Sequence, residues 1–410
     1  MNQRIRQHAE TIIHEALRAV RPDQAVERAL AGWHAPGDVY LLAVGKAAWQ
    51  MADTAIRCLG GAIRRGMVIT KYRHVPRPLP GVACYEAGHP VPDEASFEAT
   101  RAALAMTAEL QPGDTVLFLL SGGGSALMEL PTVDAQELQD VTRQLLACGA
   151  DIVEINTIRK RLSQVKGGRF AAWCAPARVH TIVLSDILGD PLDMIASGPT
   201  VPDTSTCADA VRIAEKYRLR LSAKAMQCLH DETPKDLPNA SAQVIGSVRE
   251  LCRAADEACR SLGYETVFLT DCMDCEAREA GRMLASVLRS HARDARRLAF
   301  LAGGETVVHL TGHGLGGRNQ ELALAAAQGI DGLSRAAVFS VGSDGTDGPT
   351  DAAGGYVDGD SLGALTAKGL SLSAVLEDND AYHALKAIDG LIVTGPTGTN
   401  VNDIAVALLG

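Results

Sequence analysis

Basic charge is in short supply. Against 39 Lys and Arg stand 49 Asp and Glu, and the resulting formal charge of −10 argues against a broad nucleic-acid footprint while leaving room for a local basic pocket. Aromatic residues reach only 4%, whereas aliphatic residues and 40 glycines are plentiful. That balance suits parallel sheets joined by tight strand-to-helix turns. No uncharged apolar run is long enough to span a bilayer, so no membrane partner is expected. The first twenty residues lack a signal-type apolar block; Ile5, Ile12, Ile13, Leu17 and Val20 recur at helical spacing and predict an amphipathic packing helix. Of ten cysteines only Cys272 and Cys275 form a C-x-x-C, with no second pair to complete a zinc site, which fits reduced thiols in a cytoplasmic protein. Most of the eleven histidines are expected to be packing or surface residues. A G-x-x-x-x-G-K-[ST] loop is also missing, so any nucleotide is held without a Walker A turn.

What is present is a rhythm. Apolar runs (DVYLLAV, GMVIT, DTVLFLLS, RVHTIVLSD, AQVIGS, YETVFLT, RLAFLAG, AAVFSVGS, GLIVTG) alternate with helical segments, predicting βαβ units and mainly parallel sheets. With 410 residues, two α/β domains are expected. The segment 231–240, DETPKDLPNA, is polar with two prolines and no periodicity, so the expected division is 1–235 and 240–410.

Two strand-like runs end in glycine-rich turns. One leads into Ser121, Gly122, Gly123, Gly124 and Ser125; the other contains Gly312, Gly314, Gly316 and Gly317, with Arg318 and Asn319 opening a helix. Such turns let backbone N–H groups approach an oxyanion, and two of them point to a polyphosphate ligand. Lys46 follows YLLAVG and precedes a helical segment, where an ammonium group suggests contact with an anion, because helix starts otherwise disfavour cations. Arg159, Lys166 and Arg169 fall at spacings that would let them clamp a carboxylate or phosphate, with a solvated basic face as the alternative. Acids cluster at further strand ends: Asp186 after TIVLS, Glu305 after Gly303 and Gly304, and Asp344 after FSVGS. Magnesium sites use one or two carboxylates plus substrate phosphates, so these acids are the metal candidates. Thr399, Asn400, Asn402 and Asp403 offer polar groups for a hydroxyl-bearing ligand or nucleotide, and equally for capping.

Taken in order, AVGKAAWQMA, SGGGSALMELP, INTIRKRLSQVKGGRFA, LSDILGDPLDMIASGPT, GGETVVHLTGHGLGGRNQELAL, SVGSDGTDGPTDAAGG and GPTGTNVNDIAV resemble the glycerate 2-kinase family, class II glycerate kinases with a C-terminal MOFRL region. The resemblance runs from about Leu41 to the end and places the MOFRL region at about 297–405. It implies two Rossmann-like α/β domains with an interdomain cleft. It also implies ATP-dependent, Mg2+-assisted phosphorylation of D-glycerate to 2-phosphoglycerate. Lys46 and Arg318 match the family's catalytic basic residues, and Asp186 would either orient the attacking hydroxyl or bind metal. The glycine turns, Asn319, Thr399 and Asn400 would hold the nucleotide. The partners implied are these small molecules, with a homodimer compatible. Two rivals stay open. Gly312, Gly314 and Gly317 satisfy G-x-G-x-x-G, as in a nicotinamide-dependent hydroxypyruvate reductase, the older label of some relatives; Asp344, however, lies further on than the usual ribose-binding acid. A sugar-phosphate-sensing module without catalysis would need the same anion pockets but no metal carboxylates.

Overall fold

The computed structural model describes residues 2–410, which divide into two compact α/β units. One comprises residues 25–245. The other comprises residues 246–410 together with the chain up to Gln24.

The first unit is built on a six-stranded sheet: β1 (Val39–Val44), β2 (Ile63–Lys71), β3 (Val82–Ala87), β4 (Thr115–Leu120), β5 (Arg178–Leu184) and β6 (Ala240–Gly246), in the order β3-β2-β1-β4-β5-β6. The pairings from β3 through to β5 are all parallel, as expected. Continuous apolar runs form these strands because both faces are covered. Leu42, Val44, Val116, Phe118 and Leu120 pack on one side with Phe170; Leu41, Ala43, Leu117 and Leu119 pack on the other, with Met51 and Ala55 of the helix Ala48–Leu59. Strand order reverses between β1 and β4, so the loops after those two strands flank a crevice at the topological switch point. A satellite core joins the helices Ala135–Ala147, Ile152–Arg161 and Cys207–Lys216 through Leu138, Val141, Ile158 and Ile213. Helix Ile152–Arg161 starts where Asp151 and Glu154 close a capping box, and this fixes the direction of the basic residues at its far end.

The second unit corrects the expectation of a mainly parallel sheet. Its strands are β7 (Glu265–Met273), β8 (Leu298–Gly304), β9 (Ala336–Gly342), β10 (Gly354–Asp358), β11 (Leu391–Ile392) and β12 (Asp403–Leu409), ordered β11-β10-β9-β12-β8-β7. Only β7 and β8 pair in parallel; the other four pairings are antiparallel. The link from β9 to β10, residues 343–353, is too short for a helical crossover, so the chain returns antiparallel. The final segment then inserts β12 between β8 and β9. As a result Asp403, at the start of β12, sits opposite Gly304 and Gly342, at the ends of its two neighbours.

The expected boundary also shifts. The amphipathic helix Gln3–Ala19 buries Ile5, Ile12, Ile13 and Leu17 as its pattern predicts, but it belongs to the second unit. Asn2 N–H donates to Asp358 at 2.8 Å, and Arg6 Nη2 to the Leu391 carbonyl at 3.2 Å. The segment 231–240 is not a free linker. Thr233 donates to Asp203 at 2.8 Å and Glu232 pairs with buried Arg161 at 2.9 Å, so the segment stays within the first unit, which runs on to Ile245 near the end of β6.

Candidate active site

At the switch point of the first unit, β1, β4 and β5 end in register, with Val44 opposite Leu120 and Leu120 opposite Val183. This brings Gly45 and Lys46, the turn Ser121–Ser125, and Asp186 to one edge of the sheet. The loops interlock through Lys46 N–H to the Gly122 carbonyl at 2.9 Å and Ala47 N–H to Ser121 Oγ at 3.1 Å. Glycine is required here by close approach: a side chain at Gly45 would collide with Ser121, and one at Gly122 with the Asp186 carboxylate.

Lys46 is half-buried, and among the described residues no carboxylate lies within ion-pair distance of its ammonium group. His74 and His89 flank it. His74 Nδ1 lies 3.3 Å from the Lys46 carbonyl, and His89 faces Gly123 beside the Lys46 side chain. Both imidazoles are held below the ordinary histidine range, first by burial, then by Lys71 at His74 and by Lys46 and Lys71 at His89. The Lys46 ammonium thus has no ion-pair partner among the described residues, a condition for holding an anion. Neither histidine was singled out from sequence. A Gly-His-Pro following a strand would have been the signal for His89, but β3 itself was not recognised.

Of the three clamp candidates, Arg159 and Lys166 meet at the Ser125 carbonyl and at buried Glu129, whereas Arg169 is held by other partners. Lys166 is fully buried; its Nζ donates to the carbonyls of Ser125 at 2.9 Å and Met128 at 3.0 Å and pairs with buried Glu129 at 3.2 Å. Burial pulls its pKa down to about 8 despite the Glu129 carboxylate. Arg169 donates to the carbonyls of Lys160 and Ser163 and pairs with Asp231, at 2.6, 3.3 and 3.4 Å. Both act as chain fasteners, their donors taken up by carbonyls and acids. Lys160 and Arg161 are likewise sunk in a network with Asp193, Asp203 and Glu232. Arg159 is partly exposed, as Arg169 is, and its Nη2 lies 3.9 Å from the buried Glu129 carboxylate. It donates to the Ser125 carbonyl at 3.2 Å and lines a cavity of about 310 Å³ with Pro90, Val91 and Leu138. Ser125 Oγ meets Ser197 Oγ at 3.3 Å, and Ser197 in turn donates to Asn156, so the turn is braced from below.

In the second unit the ends of β8 and β9 and the start of β12 gather Glu305, Asp344 and Asp403 along one sheet edge. Arg318 begins the helix Arg318–Ala326 and is forked by Asp403, with Nε and Nη2 at 2.5 and 3.1 Å; its Nη1 meets Glu305 at 2.7 Å. Burial opposes ionisation of Asp403 and raises its pKa, although Arg318 works against the shift. Asp347 caps the helix start, accepting from Asn319 N–H and Gln320 N–H at 3.2 and 2.9 Å; burial raises it to about 6. Asn319 is committed to this packing, since Ser340 donates to its side-chain oxygen at 2.5 Å.

The glycine turn before Arg318 is largely spoken for. Asn379 Oδ1 accepts from the N–H groups of Thr311 and Gly312, Asp378 from those of His313 and Gly314, and Asp380 from that of Leu315. Gly312 is needed because a side chain there would enter the Asp378 backbone. Gly314 therefore presents no free N–H to a phosphate, which corrects its place among the nucleotide contacts. The N–H groups of Gly316 and Gly317 have no acceptor among the described residues. Beyond β11, Thr399 Oγ1 and Asn402 Oδ1 are buried without partners, and Asn402 Nδ2 donates to Glu305 at 3.0 Å; Asn400 is exposed. Asp344 accepts from Thr346 N–H at 2.9 Å. Among the described residues no group of three or more His, Cys, Asp or Glu is placed to hold a metal ion. No helix among them is long and apolar enough to cross a membrane.

Residues 8–230 match the family described as a domain of unknown function, DUF4147, and residues 298–403 match the MOFRL family, close to the expected 297–405. A Thermotoga maritima protein named D-glycerate 2-kinase is 50% identical over 404 residues, covering 97% of each chain. The crystal structure of a glycerate kinase from Thermotoga maritima superposes with a TM-score of 0.96, at 48% identity, over all of both chains. The chain belongs to the glycerate 2-kinase family. One 40% identical member from Agrobacterium vitis, aligned over 91% of this chain and 88% of its own, is provisionally named hydroxypyruvate reductase. Membership agrees with the two-unit α/β fold. Within this family frame the uncompensated cation and the glycine turn at the first unit's switch point are the features that a phosphoryl-transfer enzyme needs.

Proposed function

We propose that this chain is a kinase that transfers the γ-phosphoryl group of ATP to the C2 hydroxyl of D-glycerate, giving 2-phosphoglycerate. The observation that carries the reading is Lys46, an ammonium group without a carboxylate partner, held over a glycine turn at the crevice of a parallel sheet. Such a group has its charge available for phosphate oxygens, and phosphoryl transfer depends mainly on positioning and charge neutralisation. The O2–P bond forms as the P–O bond to the β-phosphate breaks and ADP leaves. Asp186 accepts the hydrogen bond of the O2 hydroxyl, orients it, and takes up its proton as the O2–P bond forms, releasing it afterwards to solvent. Arg159 meets the glycerate carboxylate, which selects C2 over C3. Ser121 to Ser125 supply backbone and hydroxyl donors.

In the second unit, Gly316, Gly317 and the Arg318 guanidinium face phosphate, with Thr399 and Asn400 as polar contacts. Glu305 and Asp344 are the acids assigned to Mg2+, and the buried, unpartnered Asn402 Oδ1 next to Glu305 is the type of hard oxygen donor that such an ion takes. When bound, the ion would neutralise phosphate oxygens. The reductase reading loses support, because the N–H groups of the G-x-G-x-x-G turn up to Leu315 are satisfied within the protein.

The test is to incubate the protein with D-glycerate, ATP and Mg2+ and assign the product by phosphorus NMR, beside a parallel reaction with hydroxypyruvate and NADH. The expected product is 2-phosphoglycerate with no NADH oxidation. A 3-phosphoglycerate product rejects the regiochemistry, and NADH oxidation without glycerate phosphorylation rejects the kinase.

A further inference from the structure

The second unit also holds an open cavity of about 560 Å³, lined by none of the residues assigned above, between the helix Gln3–Ala19 and the strand β11 with the loop that follows it. Its floor is apolar: Ile13, Leu17 and Ile392 are buried there. Its lining carries Arg6, Arg18 and Arg21 against the single acid Glu10. Arg6 is occupied, held by Glu10, two backbone carbonyls and the face of Tyr356, 4.7 Å away. Arg18 and Arg21 are about half exposed and pair only with the neighbouring acids Glu15 and Asp23. Such surface pairs are weak and exchange readily for a better-placed anion.

An independent observation points to a ligand. Tyr356 lines this cavity, is fully buried, and its hydroxyl has no hydrogen-bond partner. Burial raises the phenol pKa, so the hydroxyl keeps its proton and remains a donor. An unpaired buried hydroxyl costs on the order of 1–3 kcal/mol, and a ligand acceptor that displaces the Arg6 guanidinium covering the ring would recover part of that cost. The cavity lies within the usual size range for small-molecule sites, with an apolar body and a few polar groups.

We propose that this cavity is an effector site for a small amphiphilic organic anion, with an aliphatic or aromatic body on Ile13 and Leu17 and its charged head between Arg18 and Arg21. Occupation is transmitted to the acid edge of the same unit. The cavity wall includes Thr394, Pro396 and Thr397. Thr397 donates through its hydroxyl to the Ser343 carbonyl at 2.5 Å and through its N–H to the Asp344 carbonyl at 3.2 Å. Gly345 is packed so tightly on Gly395 that a side chain could not be added. The wall therefore cannot move without moving the Asp344 turn. This coupling rests on the kinase reading; the binding itself does not.

The probe is 8-anilino-1-naphthalenesulfonate, an aromatic body with one anionic head, titrated into the intact protein by calorimetry and fluorescence. One-to-one binding is expected. The exposed double variant Arg18→Glu/Arg21→Glu should weaken it at least about tenfold, the ratio set by roughly 1.4 kcal/mol. Tyr356→Phe, which removes only the unpaired hydroxyl, should weaken binding several-fold without lowering Tm. Absence of stoichiometric binding, or binding unchanged in both variants, overturns the site. A saturating probe that leaves the glycerate and Mg2+ dependence of turnover unchanged overturns the coupling while the site stands.

Discussion

Lys46 and Arg318 occupy comparable places, each just past a strand or turn and at the mouth of a helix, yet they are held in opposite ways. Lys46 has no acid against it and lies beside two histidines kept neutral by burial and neighbouring ammonium groups. Arg318 is forked by a buried aspartate and touched by a glutamate, so much of its charge is already answered. A cation left uncompensated in a low-dielectric crevice keeps its field for the ligand. One locked to a buried carboxylate also holds the protein together, and removing it strands that carboxylate. Two basic residues that look alike in sequence are thereby separated into one whose loss should be felt in the chemistry and one whose loss should be felt in chemistry and stability together.

The largest effect should come from Lys46→Ala. Turnover of glycerate should fall about 10²- to 10³-fold, the usual cost of one charge-stabilising donor. The denaturation midpoint should stay close to the parent, because no buried partner is abandoned. A folded variant with near-parental turnover would remove Lys46 from the mechanism. Arg318→Ala should lower turnover and also cost about 2–4 kcal/mol in urea denaturation, since Asp403 is left buried and unpaired. Adding Asp403→Asn to that variant should recover part of the stability but none of the turnover. If Arg318→Ala melts like Lys46→Ala, the contrast between the two sites is wrong. A smaller effect belongs to Arg159→Ala: the glycerate KM should rise about tenfold, as expected for one charged hydrogen bond, with the ATP KM little changed. Arg169→Ala, by contrast, should weaken the fold and leave both KM values alone.

The two sites also differ in how far the sequence revealed them. Lys46 was legible because a continuous apolar strand, a glycine and a helical segment place it without reference to any distant residue. Its neighbours at Ser121–Ser125 and Asp186 were legible for the same reason. Arg318 was placed correctly at a helix start, but its partner Asp403 lies 85 positions away, and no local pattern connects the two. The same holds for Lys166, whose burial against Glu129 is a tertiary fact that helical spacing could not foresee. Strand β3 escaped because its faces are only half-buried, β10 because two of its five residues are glycine, and β12 because its apolar run directly follows a polar turn that reads as a cap. Missing β12 concealed both the antiparallel character of the second sheet and the acid edge that Asp403 completes.

The smallest effect sharpens the comparison from the structural side, at Lys166. Its folded pKa lies at about 8, below the ordinary lysine value of 10.5, because burial penalises the ammonium more than Glu129 supports it. The sign follows from proton counting. Between pH 8 and 10.5 the unfolded chain binds more protons at this residue than the folded chain, so this contribution to stability rises with pH across that window. Below pH 8 both states are protonated and the burial penalty is carried in full. The gain over the window is on the order of 2–3 kcal/mol, given 1.36 kcal/mol per unit. Other groups titrate there too, so the informative quantity is the difference between the parent and Lys166→Met/Glu129→Gln, which removes both partners of this pair and leaves only the permanently charged Arg159 beside it. Urea denaturation at steps from pH 7.5 to 10.5 should show the parent gaining on the double variant as pH rises. Parallel curves would mean that Lys166 stays charged in the fold and that Glu129 outweighs burial. Lys166 would then be a second well-compensated cation like Arg318, and Lys46 would stand apart from both.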